Sequence, residues 1–218
     1  MKFLYSKQAG EEQICLQNEQ FLHLKARRAK LGERIDVRNL KDGQNYIYEI
    51  ANLDRKSAEL SLVFKHSVEG EELNFSLGWA IIDTKVIEKT LPSLNEIGVS
   101  KLIFFYSDFS QKNFKIDRDR LERILINSCE QCGRNSLMQI EIYKNLDEVL
   151  NSYKDIALVD FGGENFENYK QTELLIIGPE GGFSQIEREK TGKKYSLNSK
   201  NILRSQTAIL SVAAKVLV

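Results

Sequence analysis

The chain has 218 residues, of which 42% are hydrophobic and 28% charged, and its 31 basic side chains balance 31 acidic ones. This composition is ordinary for a globular protein of one large or two small domains, and a net charge of zero does not by itself suggest a nucleic-acid binder. No apolar run approaches the roughly 18 residues of a membrane span, and the N-terminal MKFLYSKQAG lacks the apolar region of a secretory signal. We therefore expect a cytoplasmic protein that does not contact membranes.

The first third of the chain is predicted to be mostly β. Strands are predicted at FLY near the start, RIDV (34–37), YIYEIANL (46–53) and AELSLVF (58–64). The last two flank the polar residues 54–57, which is the pattern of a hairpin. A short helix around 20–27 interrupts the strands, and the polar SVEGEE (67–72) is the predicted linker. We predict a small, mostly antiparallel sheet or barrel.

From Asn74 onward, predicted strands alternate with predicted helices. The strands are FSLGWAII (75–82), KLIFFYS (101–107), QIEIY (139–143), IALVDFGG (156–163) and ELLIIG (173–178). The helices are 85–97, 117–132, 146–153, 184–190 and a last helix within 202–218. Because the strands lack polar alternation and are separated by helices, we predict a parallel sheet covered on both faces.

Three turns are predicted to lie at one edge of this sheet, where ligands of open parallel sheets bind. They are GPEGG (178–182), the Gly-Gly that ends IALVDFGG, and the polar loop 197–208. Together they could enclose one small molecule, although GPEGG could also be only a tight strand-to-helix connection. No G-x-G-x-x-G or P-loop is present, which argues against a dinucleotide or a triphosphate. Both histidines precede residue 67, so this half holds no Ser-His-Asp triad.

Two further features bear on function. Within 25–41, seven basic side chains outnumber two acidic ones, which is a possible footprint for nucleic-acid phosphates or simply a solvated surface. The three cysteines are too few for a disulfide framework, and the lone CEQC (129–132) lacks the four ligands of a structural zinc site. We expect no metal.

Several motifs point to a known family. LLIIGPEGGFSQIERE (174–189) followed by NILRSQTA (201–208) resembles the signature of the RsmE family, SPOUT-class methyltransferases that methylate N3 of a uridine in 16S ribosomal RNA. RRAKLGERIDV (27–37), NEIGV (95–99) and SCEQCGR (128–134) resemble other segments of that family in the same order. The resemblance therefore spans most of the chain.

The resemblance implies an α/β protein with two domains. An N-terminal PUA-like small β-barrel (1–68) binds RNA, and a C-terminal SPOUT α/β domain (72–218) combines a parallel sheet with a trefoil knot. The implied cofactor is S-adenosylmethionine, held by the three loops. The implied partners are 16S rRNA or the small ribosomal subunit and a second copy of the chain in a homodimer. Alternatives are a SPOUT enzyme with another RNA target and a non-catalytic ribosome assembly factor. A metabolic enzyme for a small nucleotide would leave 25–41 unexplained.

The resemblance also implies site residues. Those for the cofactor are Ile177, Gly178, Gly182, Leu197, Asn198, Ile202 and Leu203, with core packing as the alternative for Ile202 and Leu203. The catalytic candidates are Arg204, Arg134 and Glu180, of which the two arginines would orient the target base or stabilise its negative charge. Glu180 would accept a proton or only bind backbone N–H groups. The RNA contacts are His23, Lys25, Arg27, Arg28, Lys30 and Arg34. The chain departs from the family pattern at Ser199, Asn201 and Gln206, where Gly, Arg and Glu are usual.

Overall fold

The computed structural model describes residues 2–67 and 74–218. Contacts between residues divide the chain into two compact units, Met1–Glu71 with Ile126–Leu137 (the first unit) and Glu72–Leu125 with Met138–Val218 (the second unit). Apart from Ser67, the predicted linker lies outside the described residues, so the domain boundary there stays a prediction. None of the helices in the described part of the chain is both long enough and apolar enough to cross a membrane.

The first unit contains a five-stranded sheet. Its elements are β1 Leu4–Tyr5, β2 Gln13–Gln17, α1 Asn18–Ala26, β3 Arg34–Arg38, β4 Gln44–Leu53 and β5 Ser57–Ser67. The strand order is β1-β3-β4-β5-β2, antiparallel except for the β1–β3 pair. The predicted hairpin, short helix and mostly antiparallel sheet are confirmed. β2 was not predicted, although Ile14 and Leu16 alternate there with exposed residues.

The segment Ile126–Leu137 groups with the first unit because it supplies part of a small core there. Cys129 is buried in a cluster with Phe3 and Leu40, and the carbonyl of Gly133 accepts a hydrogen bond of 3.0 Å from Arg38 Nη1. Cys129 is thus a small apolar side chain in a core, the usual environment of a free cysteine.

The second unit is built on a six-stranded sheet. Its strands are β6 Ser76–Ala80, β7 Lys101–Phe105, β8 Gln139–Tyr143, β9 Ile156–Asn165, β10 Leu174–Ile177 and β11 Lys194–Ser196. The helices, of which α3 runs on into the first unit, are α2 Thr84–Ile97, α3 Arg118–Cys132, α4 Leu146–Ser152, α5 Gln185–Thr191 and α6 Ser205–Leu217, and a 3₁₀ turn covers Phe166–Asn168. The strand order is β11-β9-β10-β6-β7-β8, and every pair is parallel. The predicted parallel sheet is confirmed.

The apolar pattern of the second unit explains how its layers pack. All four residues of β10 are buried, as expected for a strand covered on both faces. On α2, Ile87, Leu91 and Leu94 are buried at helical spacing, so one stripe of the helix faces the core. The trefoil knot that the resemblance implies stays a prediction.

The predicted end of β9 is wrong. The strand does not stop at Gly162 and Gly163 but continues to Asn165, where it pairs with β11. A Cβ atom on Gly163 would lie 2.7 Å from backbone atoms of Lys194 and Tyr195, so only glycine permits this approach of the two strands. Gly163 therefore serves the packing of β9 against β11.

Candidate functional site

A cavity of about 400 Å³ opens in the second unit, beside the carboxyl end of β10. Three segments line it: residues 159–161 of β9, the turn from Ile177 to Phe183 with Arg188 beyond it, and residues from 196 to 208 leading into α6. Its volume falls within the range of about 300–1,000 Å³ that is common for small-molecule sites. Two of the predicted turns, GPEGG and the polar loop 197–208, thus line one cavity, whereas the third segment contributes residues 159–161 of β9 and not its Gly-Gly.

The glycine-proline turn forms one wall of the cavity. Its N–H at Gly182 donates a hydrogen bond of 2.9 Å to the carbonyl of Pro179, which closes the turn. Gly182 has φ +70°, a conformation that L side chains rarely adopt. GPEGG is therefore both a tight connection and a cavity wall.

The buried carboxylate of Glu187 fixes the backbone that follows the glycine-proline turn. Ser184 and Glu187 form a capping box at the start of α5, in which Glu187 Oε2 accepts from the Ser184 N–H at 2.9 Å. Glu187 is 4% exposed and also accepts hydrogen bonds from Ser107 Oγ at 3.0 Å and from the Asp108 N–H at 3.1 Å. The start of α5 is thereby tied to the loop after β7.

A buried hydroxyl ties the turn to the last helix. Ser205, the first residue of α6, donates from Oγ to the carbonyl of Gly178 at 2.5 Å and accepts from Trp79 Nε1 at 2.8 Å. Because all three groups are buried, losing the hydroxyl would leave two polar groups unsatisfied. Ser205 therefore fixes the glycine-proline turn and the start of α6 relative to each other.

The loop before α6 forms the third wall. Ile202 lines the cavity yet is 82% exposed, which excludes core packing as its role, and Leu203 is half-buried. Asn198 has φ +53°, and its side-chain amide donates to Asn165 Oδ1 at 2.9 Å, which holds the loop against the end of β9. An apolar side chain that faces an open cavity is available to a ligand.

The structure brings together most of the predicted cofactor residues. Six of the seven line the cavity: Ile177, Gly178, Gly182, Leu197, Ile202 and Leu203. Asn198 does not. Sequence reasoning missed Asp160, Phe161, Arg188 and Ser205 as lining residues. Asp160 and Phe161 could have been found, because they directly precede the Gly-Gly that was singled out.

The three catalytic candidates have different surroundings. Glu180 lines the cavity, and its exposed carboxylate accepts no hydrogen bond from any of the described residues. Arg204 is exposed and does not line the cavity, but it directly follows Leu203, which does. Arg134 belongs to the first unit and donates from Nε to Ser136 Oγ at 3.2 Å.

The predicted RNA contacts lie in the first unit, on α1, the connection to β3 and the first residue of β3. Five of the six are exposed: Lys25, Arg27, Arg28, Lys30 and Arg34. Arg34 Nε lies 3.7 Å from Glu49 Oε2. His23 is half-buried, with Nδ1 3.7 Å from Glu130 Oε2. The basic segment (residues 25–41) therefore presents most of its positive charge to solvent, although Arg38 is buried and paired with Asp36.

Glu130, from the SCEQCGR motif, is a buried carboxylate of the first unit. It is 4% exposed, and Oε1 accepts a hydrogen bond of 2.7 Å from the Tyr5 N–H. Burial raises the pKa of Glu130, although the Tyr5 N–H and the charges of His23 and Arg27 act in the opposite direction. This motif thus anchors β1 and α1 of the first unit.

Comparison with known proteins shows where this chain belongs. It matches the family model of an RNA methyltransferase domain over residues 69–217 and that of an RNA methyltransferase PUA domain over residues 16–63. It is 43% identical to ribosomal RNA small subunit methyltransferase E of Helicobacter pylori, over 98% of either chain. The chain belongs to this methyltransferase family. The predicted resemblance to RsmE is confirmed.

Solved structures agree with membership of the methyltransferase E family. A methyltransferase from Legionella pneumophila, solved with bound S-adenosylmethionine, is 26% identical with a TM-score of 0.83 and covers 99% of this chain and 96% of its own. A methyltransferase E from Neisseria gonorrhoeae, at 22% identity, has the same fold with a TM-score of 0.83 over 99% of this chain and 96% of its own. The predicted fold class, a PUA-like domain followed by an α/β domain with a parallel sheet, is confirmed.

Proposed function

We propose that this protein transfers a methyl group from S-adenosylmethionine to N3 of a uridine in 16S rRNA. The observation that carries the proposal is the single cavity formed by three segments at the carboxyl edge of the sheet, in a chain of the methyltransferase E family. The bound cofactor of the Legionella relative supports the choice of methyl donor.

The residues of the cavity fit this cofactor. Ile177, Leu197 and Leu203 offer apolar surface to an adenine ring, while the glycine turn offers backbone N–H and C=O groups to polar edges. When bound, S-adenosylmethionine supplies an electrophilic methyl group on a sulfonium sulfur. The protein's remaining task is to present the nucleophile in line and to manage one proton.

Two side chains are proposed to act on the target uracil. The unpartnered carboxylate of Glu180 accepts the N3 proton, directly or through one water, and later releases it to solvent. Arg204 stabilises the negative charge that develops on the base as this proton leaves. With the cofactor bound, the deprotonated N3 held by these residues would accept its methyl group, and the sulfur would leave as a neutral thioether. Arg134 is the second candidate for orienting the base.

The basic segment is proposed to hold the RNA. Its exposed arginines and lysines suit phosphate contacts, which position a substrate without reading its sequence. Presentation of one uridine then depends on RNA shape and on extrusion of the base from its stack. We further propose that the enzyme acts in the cytoplasm as a homodimer, with 16S rRNA or the small ribosomal subunit as its substrate.

The experiment that tests the proposal is methylation of naked 16S rRNA and of assembled small subunits in vitro, with the modified base mapped by mass spectrometry. We expect N3-methyluridine at one position, and a fall in kcat of about 100-fold or more for Arg204→Ala. Lys200→Ala, an exposed change in the same loop, is the control and is expected to keep full activity. A methyl group on a ribose or on another base would reassign the target. Failure of the folded protein to bind S-adenosylmethionine would favour the assembly factor.

A further inference from the structure

The cavity has one basic side chain. Among the described residues that line it, Arg188 on α5 is the only lysine, arginine or histidine, whereas Asp160 and Glu180 are acidic. The Arg188 side chain is 36% exposed, so its guanidinium is open to a ligand. The positive charge of Arg188 makes it a candidate contact for a negatively charged group of a small molecule in this cavity.

Asp160 fixes this guanidinium from one side. Arg188 Nε lies 2.6 Å from Asp160 Oδ2, and Asp160 is only 6% exposed. The other carboxylate oxygen, Oδ1, accepts a hydrogen bond of 2.8 Å from the Phe161 N–H. The carboxylate thus holds the orientation of the guanidinium and is itself partly neutralised by a backbone donor.

The terminal nitrogens of Arg188 remain available. Neither donates a hydrogen bond to any of the described residues, and Nη2 lies 3.7 Å from the position that a Cβ atom on Gly182 would occupy. The end of the guanidinium therefore rests against the glycine turn that forms the cavity wall. An arginine held at Nε presents two parallel N–H donors at its terminal nitrogens, a geometry that matches a carboxylate.

We propose that Arg188 binds the carboxylate of the amino-acid end of S-adenosylmethionine. This assignment rests on the proposed function, since it concerns the same cofactor. The contact anchors the end of the cofactor that takes no part in the reaction. Arg188 is accordingly a positioning residue.

The test compares S-adenosylmethionine with a ligand that lacks the amino-acid end and, as a neutral thioether, also lacks the sulfonium charge. Isothermal calorimetry is performed with S-adenosylmethionine and with 5′-methylthioadenosine, which lacks the carboxylate, on the full chain and on Arg188→Gln. We expect the variant to bind S-adenosylmethionine about 10- to 100-fold more weakly, as for loss of a charge-assisted pair, and 5′-methylthioadenosine within about twofold of the original. Lys190→Gln, an exposed change on the same helix whose partner is Asp147, is the control and should leave both affinities unchanged.

Each of the other possible results leads to a different conclusion about Arg188. Equal weakening of both ligands would assign Arg188 a purely structural role and overturn the proposal, as would unchanged affinity for S-adenosylmethionine. Should Arg188→Gln not fold, because Asp160 is left unpaired, the double variant Asp160→Asn/Arg188→Gln provides the same comparison of ligands. If the original chain methylates uridine N3 while the comparison fails, only this assignment is lost. If the original chain binds neither ligand, the proposed function is lost together with it.

Discussion

The cavity of the second unit and the basic segment of the first unit are built on opposite principles. The cavity is held by hydrogen bonds between buried groups, such as Ser205 with Gly178 and Glu187 with Asp108. The side chains of Lys25, Arg28 and Lys30 are exposed. A small cofactor must be enclosed by fixed groups, whereas an RNA backbone needs only positive charge within reach. A substitution that alters the shape of the cavity should therefore prevent cofactor binding. A substitution that removes positive charge from the basic segment should weaken RNA binding.

The largest effect is expected from filling the cavity. Gly182→Val places a branched side chain on the cavity wall next to Arg188, at a residue with φ +70°. We expect calorimetry to show S-adenosylmethionine binding at least about 100-fold weaker, because the side chain occupies the ligand's space and strains the turn.

Gly192→Val is the matched control. Gly192 has the same φ of +70° but ends α5 outside the cavity, and a Cβ there meets nothing within 4 Å. Both variants should lose about 1–2 kcal/mol of stability from the left-handed conformation, while only Gly182→Val loses cofactor affinity. Equal affinity in the two variants would mean that the turn does not border the cofactor.

A smaller effect is expected from removing charge in the basic segment. Arg27→Gln/Arg28→Gln should lower RNA affinity about 10-fold at moderate salt, uniformly across RNA sequences, because phosphate contacts carry no sequence information. The slope of log affinity against log salt should fall by roughly 1.4, as for two lost contacts with a single strand. Filter binding over a salt series measures both quantities.

The control for this double variant removes the same number of charges elsewhere in the first unit. Arg55→Gln/Lys56→Gln changes two exposed residues of the turn between β4 and β5. Its salt slope should match that of the original chain. Identical slopes for both double variants would assign Arg27 and Arg28 to the ordinary solvated surface.

The sequence could predict the features that depend on a local pattern or motif. Most strands of the second unit were predicted from apolar runs and its helices from helical spacing and caps. The resemblance of GPEGG and ILRSQTA to a known family led to seven predicted cofactor residues, of which six line the cavity. The hairpin pattern predicted a small, mostly antiparallel sheet or barrel, and the family resemblance alone implied that this domain is PUA-like. Local pattern and motif were sufficient because each of these features lies within one short segment.

What escaped prediction depends on residues that are distant in sequence. Ser205 bonds Trp79 across 126 positions, and Arg188 pairs with Asp160 across 28, so no local pattern signals either contact. The continuation of β9 past Gly163 was missed for a similar reason, since its partner strand β11 has only three residues and no apolar pattern.

The smallest effect is expected from replacing Glu130, a buried side chain of the first unit. The first unit, like the second, depends on a buried polar group. Burial raises the folded-state pKa of Glu130 above its unfolded value, so the ionised form is disfavoured in the folded protein. This penalty is absent below the unfolded pKa, grows as pH rises through the interval between the two values, and is complete above the folded pKa. Glu130→Gln removes the penalty and keeps an oxygen that can accept from the Tyr5 N–H.

We therefore compare the melting temperature of Glu130→Gln minus that of the original chain at two pH values. This difference should be a few degrees more positive at about pH 7.5 than at about pH 4, which corresponds to about 1 kcal/mol in the free energy of unfolding. Glu59→Gln, at an exposed position of β5, should show no such dependence on pH. A relative melting temperature that falls as pH rises would mean that the ionised carboxylate stabilises the fold, and that SCEQCGR anchors the first unit through charge rather than through packing.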